Sequence, residues 1–91
     1  MATERIDVIF TGRVQGIGFR ATTAMIARRH PVTGWVRNEA DGTVAMIAEG
    51  APAALQRFLE DIAARFDGYI THTETRHAAA TDEFNGFEIR Y

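Results

Sequence analysis

A chain of 91 residues, 46% hydrophobic and 24% charged, has room for one modest core, so a single domain spanning 1–91 is expected. The absence of cysteine excludes a disulfide framework and thiolate chemistry. A formal net charge of −2 and a pI of about 5.9 do not favour a nucleic-acid partner. All ten basic residues are Arg, so any fixed cation at a site is a guanidinium or a protonated His. The first ten residues, MATERIDVIF, hold no apolar run long enough for a signal peptide or a membrane span. A cytoplasmic monomer with no membrane and no nucleic-acid partner is the expectation.

In chain order, Ile6, Val8 and Phe10 alternate with Asp7, Ile9 and Thr11, the period of a strand with one face on a core. Gly12 ends it, and the glycine-containing stretch Val14-Gln15-Gly16-Ile17-Gly18 follows. The run Phe19 to Arg29 predicts a helix with Phe19, Thr22, Met25, Ile26 and Arg29 near helical spacing. His30-Pro31 stops it, because the residue before Pro avoids the α region. Val32 to Asn38 is rich in β-formers, and the Asp41-Gly42 turn leads back through a third strand, Thr43 to Glu49. Pro52 opens a second helix whose apolar stripe is Leu55, Phe58, Leu59, Ile62 and Phe66; Asp67-Gly68 ends it. Tyr69 to His77, with Thr at 71, 73 and 75, predicts a half-exposed fourth strand. Residues 78–84 read as a loop, and Phe87, Ile89 and Tyr91 suggest a short last strand.

The order is βαββαβ plus a terminal strand. It predicts an α+β, ferredoxin-like sandwich with two helices on one face of a mostly antiparallel sheet. A helical crossover makes the first two strands run the same way, so their C-terminal ends share one edge of the sheet. The loop 14–20 and Asn38 are therefore expected to be neighbours, with Thr43 on the same edge.

That edge gathers the residues able to do chemistry. Gly16 and Gly18 let the backbone curl, and N–H groups at the start of a helix bind anions with help from the helix dipole. Arg20 would aim a planar donor fork at whatever fills the loop. This describes a cradle for a phosphate-sized dianion, although a plain tight turn with Arg20 on a solvated face has the same spacing. It is not the GxxxxGK[ST] loop, because the Lys and the hydroxyl are missing. Asn38 is either a turn former or an amide that holds a water next to the cradle. Thr43 bonds within the turn or supports the site. Trp35 and Arg37 share a face and read as packing and a surface cation, and Arg13 as distant positive potential. The carboxylates of Glu39, Asp41, Asp82 and Glu83 fall in turns and loops and read as solvated charge. His30, His72 and His77 are scattered, and no metal-ligand cluster or Ser-His-Asp arrangement emerges.

GRVQGIGFR at 12–20, GWVRNEADGTV at 34–44 and FNGFEI at 84–89 resemble the acylphosphatase family in order and spacing over nearly the whole chain. The resemblance implies that Gln15, Gly16, Ile17, Gly18, Phe19 and Arg20 hold a phosphate through backbone N–H groups and the guanidinium. It implies that Asn38 positions the attacking water. It further implies small acyl phosphates as substrates, no strong general base among the side chains, and no metal or cofactor. Ile17 stands where Val is common, Ala21-Thr22-Thr23 follows the motif Arg in place of an early aromatic, and His30-Pro31 is an unusual approach to the second strand. Three other readings compete. One is a non-enzymatic module of the same fold. Another is a domain detached from a larger carbamoyl-phosphate-using protein. The third is an RNA-binding domain, against which the pI, the absence of Lys and the non-aromatic Thr43–Ile47 run all count.

Overall fold

The computed structural model describes residues 2–91. Five strands and two helices follow one another as β1 (Glu4–Gly12), α1 (Phe19–Ala27), β2 (Thr33–Asn38), β3 (Val44–Gly50), α2 (Pro52–Arg65), β4 (Ile70–Ala79) and β5 (Phe87–Arg90). The sheet order is β4-β1-β3-β2-β5. All pairings are antiparallel except β2 with β5. Since β3 lies antiparallel between β1 and β2, those two strands run the same way and end on one edge, as the crossover argument requires.

The alternation of β1 sets the core. Ile6, Val8 and Phe10 are buried and sit opposite Ala48, Met46 and Val44 of β3. α2 covers them with Ala54, Leu55, Phe58 and Ile62, and Pro52 takes the first helical turn, where no main-chain donor is needed. On α1 the buried side chains are Phe19, Thr23, Ile26 and Ala27, whereas Met25 is 58% exposed. The expected stripe through Thr22 and Met25 is thus rotated. Small residues at 23 and 27 let the helix sit close to its neighbours, and Met25 faces outward.

Aromatic contacts fix where α1 begins. The Phe19 ring stacks on Phe66 at 4.3 Å and tilts against Phe10 at 5.1 Å. An aromatic pair adds about 0.5–1.5 kcal/mol beyond its area burial. The N-terminus of α1, and the glycine loop before it, is therefore anchored to the core. Trp35 is buried on the opposite face of the sheet, under the guanidinium groups of Arg37 at 4.7 Å and Arg90 at 5.1 Å.

At the other edge of the sheet, residues 80–86 run from β4 across to β5. Glu49, only 4% exposed, holds this segment. Its carboxylate accepts the Thr81 N–H at 2.9 Å, the Thr81 hydroxyl at 3.0 Å and the Asp82 N–H at 2.9 Å. The Arg5 guanidinium lies 4.0 Å away. Burial alone would raise the Glu49 pKa. The Thr81 and Asp82 hydrogen bonds and the Arg5 charge outweigh it and hold the carboxyl below its ordinary value.

Candidate active site

The loop from β1 to α1 has two left-handed glycines, Gly16 at φ 79° and Gly18 at φ 77°. Gly18 is the N-cap of α1; its ψ of 21° completes the αL conformation that an L side chain adopts at a cost of about 1–2 kcal/mol. The first helical hydrogen bond runs from the Thr22 N–H to the Gly18 carbonyl at 3.0 Å. The N–H groups of Phe19, Arg20 and Ala21 precede it and have no acceptor in the helix. No side chain among the described residues caps this end, and its first turn carries no acidic residue. The positive end of the helix is left for an external anion.

Arg20 lies in that first turn, half-buried, with its guanidinium carbon 4.9 Å from the Tyr91 ring centre. It has no carboxylate partner among the described residues, and neither do Arg13, Arg28, Arg29, Arg57 and Arg65, whereas Arg5, Arg37, Arg76 and Arg90 each pair with at least one. A face-on aromatic holds a cation in place without neutralising it. Arg20 therefore presents an undiminished positive charge.

Asn38 ends β2 on the same edge. Its Oδ1 is buried and has no hydrogen-bond partner among the described residues. A buried acceptor without a donor costs about 1–3 kcal/mol; the Thr23 hydroxyl, buried on α1, is a second such group, and of the two Asn38 is the one that lines a cavity. Gly16, Gly18, Arg20 and Asn38 line one cavity of about 160 Å³. Val14, Phe19 and Ala21 also line it, with Ile89 of β5 and Tyr91 just after that strand. Among the described residues, no carboxylate or imidazole side chain lines it. Among the described residues no cluster of three or more His, Asp or Glu is arranged to hold a metal.

The other expected residues take definite places. Ile17 is 40% exposed at the loop tip. The Gln15 side chain turns away from the cavity, and its Nε2 donates to the Glu39 carbonyl at 2.8 Å and to the Thr43 carbonyl at 2.9 Å. Thr43 serves the turn: its hydroxyl and its N–H both donate to Asp41 Oδ1, at 2.6 and 3.0 Å. Those two bonds hold the Asp41 pKa below the ordinary carboxylate value. Glu39 is engaged by Arg37 at 3.1 Å. Arg13 stacks on Tyr69 at 5.2 Å and does not line the cavity. The sequence reading missed Ile89 and Tyr91. Their alternation showed a strand, but only the parallel pairing of β5 with β2 brings them to the cavity.

Comparison with known proteins agrees with this fold. The acylphosphatase family model matches residues 6–89. A protein named acylphosphatase from Salinibacter ruber is 42% identical over 88 residues, covering 96% of this chain and 93% of the relative. The crystal structure of acylphosphatase from Bacillus subtilis superposes with a TM-score of 0.89 at 34% identity, covering 97% of this chain and 99% of that one. HypF of T. kodakarensis contains the same fold, with a TM-score of 0.77 at 25% identity over all of this chain and 12% of its own. The chain belongs to the acylphosphatase family.

Proposed function

We propose that this member of the acylphosphatase family hydrolyses the carboxyl–phosphate bond of small acyl phosphates to a carboxylate and inorganic phosphate, using the cavity between the 15–20 loop and Asn38. The observation that supports this most strongly is a combination. An uncapped helix N-terminus, a guanidinium without a carboxylate partner among the described residues, and Asn38, whose Oδ1 has no partner among them either, line one cavity.

Each part has a role in the reaction. The main-chain N–H groups of 15–20 and the Arg20 guanidinium hold the phosphoryl oxygens and offset charge that develops on them. Asn38 Oδ1 accepts a hydrogen bond from water, which turns the water lone pair toward phosphorus. The new bond joins the water oxygen to phosphorus, and the bond from phosphorus to the acyl oxygen breaks. The electron pair leaves on a carboxylate, a good leaving group. With no carboxylate or imidazole side chain among the described residues lining the cavity, the water proton passes to a non-bridging oxygen of the substrate's own phosphoryl group. The protein contributes position and charge, the two effects that serve an already activated substrate.

Benzoyl phosphate hydrolysis, followed by its ultraviolet absorbance with a chelator present, tests the proposal. The expected result is rapid turnover that inorganic phosphate inhibits competitively. A folded protein with no turnover would refute it.

A further inference from the structure

Beyond the β3 ladder that already joins the ends of β1 and β2, the Gln15 side chain ties the glycine loop to the turn after β2. Its Nε2 reaches two main-chain carbonyls 24 and 28 residues away, Glu39 at 2.8 Å and Thr43 at 2.9 Å. Those carbonyls belong to the tight turn after β2. There the Glu39 N–H donates to the Thr43 carbonyl at 2.9 Å, and the Gly42 N–H donates to the Glu39 carbonyl at 3.2 Å. Gln15 directly precedes Gly16 of the anion loop, and Glu39 directly follows Asn38. One half-buried amide group therefore joins the anion cradle to the strand end that presents Asn38 Oδ1.

We propose that Gln15 is a positioning residue whose side-chain amide sets the distance between the phosphate cradle and the water-orienting amide of Asn38. This rests on the hydrolytic reading above and adds to it. The cradle has its own anchors: Phe19 is fixed in the core, and the Arg13 N–H donates to the Tyr69 carbonyl at 2.9 Å. The turn is held by its own hydrogen bonds and by Asp41 with Thr43. Each half has contacts of its own, so what Gln15 adds is a direct bond between them that bears on their relative placement. In-line attack is sensitive to that placement, since a misplacement of about 1 Å can cost about 10²-fold in rate.

The test measures kcat on benzoyl phosphate, the inhibition constant of inorganic phosphate and the unfolding midpoint. The proteins compared are wild type, Gln15→Met, Asn38→Ala and the double variant. Methionine keeps the length and removes the donor. We expect Gln15→Met to lower kcat by about 10- to 100-fold while phosphate inhibition moves by less than about threefold. Added to Asn38→Ala, it should lower kcat no further, because the two act through one water. Should Gln15→Met not fold, Gln15→Asn replaces it; its amide is a methylene too short to reach both carbonyls. Unchanged kcat, an equal loss of phosphate affinity, or full additivity in the double variant would each overturn the inference and leave the hydrolytic reading standing. A wild type that does not hydrolyse benzoyl phosphate would overturn both.

Discussion

The two edges of the sheet treat buried polar groups in opposite ways. At the edge where β1 and β2 end, Asn38 Oδ1 is buried without a donor, Arg20 has no carboxylate partner among the described residues, and the helix N-terminus is uncapped. At the edge where β3 ends, Glu49 is as deeply buried as the core, yet three protein donors and a guanidinium serve its carboxylate. A folded chain has every reason to satisfy its own polar groups, because an orphan weakens it. The satisfied edge is what stability selects, and the unsatisfied edge is where a ligand completes the set. Removing groups should therefore cost activity at one edge and stability at the other.

The largest expected effect is on activity at the first edge. Asn38→Ala should lower kcat by about 10²–10³, the usual cost of one preorganised hydrogen-bonding group. Its unfolding midpoint should equal or exceed that of wild type, since an orphaned acceptor disappears. A comparable loss in folding stability would merge the two edges and break the contrast.

At the second edge the effect is smaller and appears in denaturant curves. Glu49→Gln should lower stability by about 2 kcal/mol, because a neutral amide replaces a carboxylate that accepted charge-assisted bonds. Its kcat should stay near wild type. Acidification sharpens the same point. The folded pKa of Glu49 lies below its ordinary value of 4.5. Its contribution is therefore complete above that value and is lost as the pH falls through the folded value. The urea midpoint of wild type should drop in that acid range, and Glu49→Gln should show a shallower drop.

The smallest effect tests the loop itself. Gly18→Ala forces a methyl into φ 77°, with nothing within 4 Å to clash, so its cost is backbone strain alone. A loss of about 1 kcal/mol is expected, and less for Gly18→Asn, since Asn tolerates the left-handed region. Thermal melts of the two variants check it.

The two edges also differed in how far the sequence disclosed them. The crossover argument placed Asn38 beside the glycine loop, since strand direction follows from element order. The helix and strand periods named most of the core. Glu49 was invisible, because a single carboxylate near the end of a largely apolar strand reads as solvated charge. Its burial depends on residues 80–86, which cross the sheet only once β5 pairs with β2. Ile89 and Tyr91 escaped for the same reason, since sequence period gives a strand but not its neighbour. The stripe of α1 was misread because Thr23 and Ala27 are small, and a hydrophobic pattern gives more weight to Met25. Gln15 fell inside the motif, but the partners of its side chain are 24 and 28 residues away.

The most direct test of the central claim is the kcat/KM of Arg20→Ala on benzoyl phosphate, read beside its unfolding midpoint in the same buffer. The account predicts a fall of at least about 10²-fold with the midpoint unchanged. Near-native turnover, or a loss of turnover that only tracks a loss of folded protein, would contradict it.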